Sequence, residues 1–146
     1  MNPKFLLALG VLLVAVAAIR SEDNKLDPAK LIGTWIYVSG EKNGEKVNEA
    51  NLKDGSVTIA KDKITLKGEQ GEFILKYKLN TAKSPCTIAM EIVDGPAGQG
   101  SMTEGIIAVQ GDTLKICYPP MGGTPPKEFA AKKDSGLHYF GLKRKK

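Results

Sequence analysis

Between residues 33 and 143 the chain reads as one short alternating run after another, with little between them long enough to hold a packed helix. Apolar and polar side chains alternate over 33–39, 56–60, 63–67, 72–79, 87–93, 103–110, 113–118 and 137–143. Period-two patterning of this kind puts one face of a strand on a core and the other toward solvent. Lys61-Asp62, the Gly68-Glu69-Gln70-Gly71 stretch and Gly111-Asp112 are short enough to be hairpin turns. Parallel neighbours would need crossovers of a dozen or more residues, for which no helical segment is present. The expected fold is therefore all-β: an eight-stranded antiparallel up-and-down barrel in one domain spanning 31–144. Closing the sheet removes the exposed edges that an open one must protect.

A barrel of eight strands has an interior just wide enough for its own side chains or for one small ligand. The inward phase offers fifteen mostly bulky residues, among them Ile64, Leu75, Tyr77, Met90, Ile107, Leu114 and Tyr118. That many large side chains favour a filled interior; a small cavity opening between the long loops is the alternative. Those loops cover 41–55, 94–101 and 119–136, the last two rich in Gly and Pro, and they could ring one or both barrel mouths. Within the first of them, 47–52 suits a single helical turn. Asp27-Pro28 suits the cap and first position of another turn just before the first strand. Trp35, the single tryptophan, is expected at one barrel end, with Gly33 leaving room for a neighbouring chain and Arg144 stacking on the indole. Candidate ligand or barrel-end residues are Trp35, Tyr77, Met90, Tyr118 and Phe129.

Ahead of the domain, residues 1–18 have the form of a secretory signal peptide. A short n-region carries Lys4, an uncharged apolar stretch runs over 5–18, and Ala15, Ala17 and Ala18 offer small residues for cleavage. The apolar stretch is shorter than the roughly 20 residues that span a bilayer. The expectation is an exported protein, periplasmic or secreted, with a flexible lead-in over 19–30 and no stable membrane insertion after cleavage. The net charge of +5 loses one unit with Lys4. It is not arranged as a basic arm interleaved with aromatics, so no nucleic acid partner is expected. The terminal Lys143-Arg144-Lys145-Lys146 run reads as a solvated tail, Arg144 excepted.

Export would expose Cys86 and Cys117 to an oxidising compartment. Cys86 is in phase with the apolar Ile88, Met90 and Ile92, whereas Cys117 is in phase with Thr113 and Lys115, on the other face of its strand. With another strand between them, and near opposite ends of the sheet, they are expected not to pair. His138 is the single histidine and is expected in a packed or rim position. No catalytic or metal-ligand spacing occurs, and Glu72, Glu91, Glu104, Glu128 and Asp112 have no spacing that pairs any two as acid and base. No catalytic residue, metal or cofactor is assigned, and the chain is read as a non-enzyme.

Gly33-Thr34-Trp35 together with the late Arg144 resembles the closure device of lipocalin-type barrels. Four stretches extend the likeness: Leu31-Ile32-Gly33-Thr34-Trp35 with Asn43-Gly44, then Gly105-Ile106-Ile107 leading to the 111–117 run, then Pro126-Lys127-Glu128-Phe129, and last Leu142-Lys143-Arg144. In order and spacing they resemble an uncharacterised exported, lipocalin-like domain family found chiefly in planctomycete bacteria. The resemblance implies a single β-rich domain and a family position for Cys117 but not for Cys86. It implies no established activity. The chain departs from the family pattern at Pro125 and Ile107, where arginine and tyrosine are usual. The functional expectation is a monomeric, non-enzymatic barrel that binds a small apolar or amphiphilic ligand at its loop-rich mouth. The alternative is a protein-interaction or inhibitor module with a fully packed core and an unknown protein partner.

Overall fold

Alternation dictates the architecture, and the strands close as the pattern demands. The computed structural model describes residues 25–68, 70–120 and 122–146; the signal-peptide reading of 1–18 and the first half of the lead-in, 19–24, lie outside the described residues. A 3-10 turn, Pro28–Leu31, precedes β1 (Gly33–Lys42). A two-residue spur, β2 (Glu45–Lys46), and a one-turn helix, α1 (Glu49–Leu52), follow. Then come β3 (Ser56–Ile59), β4 (Lys63–Gly68), β5 (Gly71–Asn80), β6 (Cys86–Asp94), β7 (Met102–Gln110), β8 (Thr113–Tyr118) and β9 (His138–Arg144). Every barrel strand pairs antiparallel with its sequence neighbour, and β9 returns to pair with β1, so eight strands close and only the β2 spur lies outside the ring. Each expected strand is present within a few residues of its expected bounds.

Because the strands run up and down, the connections alternate between the two ends. The short ones, after β3, β5 and β7, lie at the end that holds the N-terminal turn. All three long ones, after β1, β6 and β8, gather at the opposite end, together with the β4–β5 hairpin. One end is therefore simple and closed, and the other is a loop-rich mouth.

Local chemistry explains the closed end. Asp27 caps the 3-10 turn by accepting from the Ala29 amide at 3.0 Å, and Pro28 occupies its first position. The turn lays Leu31 across the barrel floor, where Leu31 and Trp35 are both 0% exposed. The indole Nε1 donates to the Leu31 carbonyl at 2.9 Å, so the one polar atom of this buried ring is satisfied. The Arg144 guanidinium lies 4.3 Å over the indole and donates to the carbonyls of Ile32 at 2.9 Å and Lys30 at 2.6 Å. Trp35 and Arg144 are direct ladder partners of β1 and β9. Arg144 thus ties the last strand to the chain that enters the first. Gly33 is required twice over: its φ of +137° suits glycine, and a Cβ there would come within 2.8 Å of an Arg144 terminal nitrogen.

The cysteine geometry needs one correction. Cys86 pairs with Ile107 and Cys117 with Ile106, so the two lie almost directly across β7 rather than near opposite ends. The stagger between neighbouring strands that closure requires brings the start of β6 level with the end of β8. Two strand spacings, about 9.6 Å, and opposite faces still keep them apart. Both thiols are free and buried. Cys86 belongs to the interior core, whereas Ile106, Cys117 and Ala131 are almost wholly buried outside it. The 119–137 loop supplies that outer layer: it folds down the outside of the barrel and offers the Ala130 carbonyl to the Cys117 Sγ at 3.6 Å.

Candidate functional site

The interior is not filled. A cavity of about 300 Å³ opens between the long loops, at the low end of the range of small-molecule sites. Its walls are the inward side chains of the barrel strands: Val57, Ile59, Ile64, Leu66, Phe73, Leu75, Ile107 and Leu114 among them. The expectation of a packed core fails: the inward side chains leave this space between them. Thr103 of β7 and Ser101 of the loop before it line the space near the mouth, whereas the inward Gly40 and Gly105 positions are filled by the Phe140 ring and by the Cys117–Tyr118 stretch of β8.

Polar groups enter the lining only near the mouth. They are Tyr37, Lys42, Gln70, Ser101, Thr103, Tyr118 and His138. Among the described residues of the lining, Lys42 is the single formal charge and no carboxylate is present. Aromatic rings build one wall. Tyr37 meets Phe140 edge-on with centroids 5.2 Å apart, Tyr118 meets His138 at 5.7 Å and Phe140 at 6.3 Å, and His138 meets Phe140 at 6.1 Å. Burial pushes the Tyr37 hydroxyl up to about 12 and raises Tyr118 further, with the nearby Tyr37 adding to it. Both tyrosines nevertheless keep accessible surface, which faces the cavity. Burial, and then the Lys42 charge, hold His138 below the usual imidazole range. The wall therefore offers neutral hydroxyls and a neutral imidazole beside one cation.

A β-bulge decides which residues these are. The β1–β9 register shifts between Tyr37 and Ser39, so Tyr37 pairs with Leu142, Gly40 with Phe140 and Lys42 with His138. Strict alternation from Trp35 would have pointed Ser39 and Glu41 inward. The extra residue moves the inward phase onto Gly40 and Lys42, exchanging an acid for a base at the mouth. Gly40 is needed because a Cβ there would lie 2.9 Å from the Phe140 ring. Beyond the bulge, Asn43 and Gly44, at φ +52° and +87°, make the two-residue hairpin into β2. The Asn43 Oδ1 accepts from the Gly136 amide at 2.9 Å, which fastens this hairpin to the end of the 119–137 loop.

The residues singled out from the sequence fall in different places. Met90 and Tyr118 line the cavity. Trp35 does not line it and is fully enclosed at the closed end. Tyr77 is a core residue on the same strand as Leu75, and its hydroxyl donates to the Ala60 carbonyl at 2.6 Å near the closed end. Phe129 is a correction: it sits on the outer face with its ring 6.2 Å from Tyr139, because the 119–137 loop descends the barrel wall instead of standing over the mouth. His138 is on the rim, as expected. None of Glu72, Glu91, Glu104, Glu128 and Asp112 lines the cavity. Glu128 pairs with Lys132 at 2.8 Å on the surface, and Asp112 lies 3.7 Å from Arg144 at the closed end. Sequence reading missed Tyr37, Lys42 and Phe140. Tyr37 is in phase with Trp35 and could have been found; Lys42 could not, because the bulge that turns it inward has no signature stronger than the Val38-Ser39-Gly40 triplet.

Comparison of the chain with protein-family models, with curated proteins and with solved structures finds no match. Among the described residues no helix is long and apolar enough to cross a membrane, and no three His, Cys, Asp or Glu residues gather as a metal site.

Proposed function

We propose that this protein is an exported, non-enzymatic, lipocalin-like binding protein, of the family its motifs resemble, that holds a small apolar or amphiphilic molecule in the mouth of its barrel. The observation that carries this reading is the cavity itself: a largely apolar space of about 300 Å³ inside the barrel, opening between the long loops. Apolar concave sites with a few convergent polar groups are the usual form of small-ligand sites. A packed interaction module would instead be favoured by a contiguous apolar surface patch. Among the described residues the large exposed apolar ones are Ile32, Val38 and Met102, one near the closed end, one on the outer face of β1 and one beside the mouth. Scattered exposures of this kind are ordinary on a soluble surface.

The test is displacement of a neutral apolar fluorophore such as N-phenylnaphthylamine. The protein should enhance its emission, and decanol should displace it. Leu66→Phe and Ile92→Phe, each adding ring volume to the cavity, should weaken fluorophore binding at least tenfold while unfolding remains cooperative. Equal binding by wild type and both variants would place the fluorophore elsewhere and refute the reading.

A further inference from the structure

The cavity's chemistry is asymmetric along its axis, and the asymmetry specifies a ligand. The lower wall is hydrocarbon. The upper wall carries one cation, Lys42, beside Tyr37, Tyr118 and His138, whose rings cluster on Phe140, and no acid among the described lining residues. Resting on the reading that the cavity binds a ligand at all, we propose that the occupant is the carboxylate of a single medium-length alkyl chain, its tail on the apolar floor and its head at Lys42.

Several observations support this occupant. The bulge places Lys42 where simple alternation would have placed Glu41, so the charge at the mouth is set by backbone geometry and its sign suits an anion. Lys42 and Glu45 are ladder partners across the hairpin, yet no ion pair within bonding range joins them among the described residues, which leaves the ammonium free to turn to a guest. Tyrosine hydroxyls can donate to a carboxylate and add directional hydrogen bonds to the charge. Size limits the tail. A volume of about 300 Å³ holds on the order of ten methylene-sized groups, each near the volume of a water molecule. That is too little for a two-chain lipid. One lysine balances one negative charge, which fits a monoanionic carboxylate better than a phosphate dianion. The excess of basic over acidic residues in the whole chain also favours approach of an anion.

The proposal is tested by displacing N-phenylnaphthylamine with decanoate, decanol and decylamine at neutral pH, from the wild-type protein and from Lys42→Met, which keeps an unbranched stem and removes the charge. Decanoate should compete roughly tenfold better than decanol, with decylamine weakest. In Lys42→Met the advantage of decanoate should vanish while decanol stays within about twofold of wild type. Lys42 is an exposed strand-end residue, and Lys42→Gln repeats the test should the methionine variant fold poorly. If decanol matches decanoate on the wild-type protein, or if the preference survives both substitutions, the head-group assignment is wrong and the binding reading stands. If none of the three amphiphiles displaces the fluorophore, the binding reading falls and this proposal falls with it.

Discussion

Removing the Arg144 side chain should weaken the whole barrel, because Arg144 fastens the closing seam. The guanidinium donates to two backbone carbonyls, of Ile32 and Lys30, and covers the Trp35 ring at 4.3 Å. Charged hydrogen bonds contribute about 1.5–3 kcal/mol when well shielded, and a cation–π contact at a partly exposed site about 0.5–1 kcal/mol. The Arg144 side chain is 29% exposed, so each contribution belongs near the low end of its range. Arg144→Ala should then cost about 2–4 kcal/mol, or ~10 °C in Tm for a domain of this size. Arg144→Lys keeps the charge but loses the planar fork, and should recover about half of the loss. Urea unfolding followed by the emission of Trp35, the single tryptophan, reads both values directly. A loss below about 0.5 kcal/mol for Arg144→Ala, or a lysine variant as stable as the wild type, would refute the clamp.

Other consequences can be measured on the same protein. Gly33→Ala forces a side chain into φ +137° and against the Arg144 guanidinium, and should cost roughly 1–3 kcal/mol by the same urea assay; a neutral substitution would show that the seam yields. Alkaline pH should destabilise the fold. Tyr37 keeps its proton in the folded state up to about 12 but only to about 10 when unfolded, so stability present below pH 10 falls as pH rises through that interval, by at most about 2.7 kcal/mol from this group. Stability unchanged between pH 9 and pH 11.5 (about one unit below to 1.5 above an unperturbed tyrosine) would contradict the enclosed position of that ring. Burial raises both thiols, so Cys86 and Cys117 should resist a water-soluble disulfide reagent in the native state and react promptly in denaturant. A mass short by two hydrogens that a thiol reductant restores would reveal a bond that the register forbids.

The fold was legible because it depends on features that repeat. Each barrel strand carries its own alternation, the hairpin turns at 61–62, 68–71 and 111–112 each carry a Gly or Asp, and errors at single residues average out. The closed end was legible for a different reason: an indole, a glycine and an arginine at opposite ends of the chain make sense together only if the first and last strands meet. The cavity was not legible. Whether side chains fill a barrel depends on how bulk is distributed along its axis, and phase alone gives no height. Residues such as Leu75 and Leu114 look alike in sequence whether they pack against a neighbour or border a void. Lys42 was hidden by the bulge, since a one-residue insertion reverses the facing of everything after it. Phe129 was misplaced because a proline-rich loop can stand over a mouth or lie along a wall with the same composition.

Native mass spectrometry of the protein purified gently from its own host tests the central claim most directly. The account expects a reproducible excess mass of one small acid, lost on denaturation and absent from the Leu66→Phe and Ile92→Phe variants. A bare protein mass in every preparation, with added decanoate failing to bind as well, would contradict it.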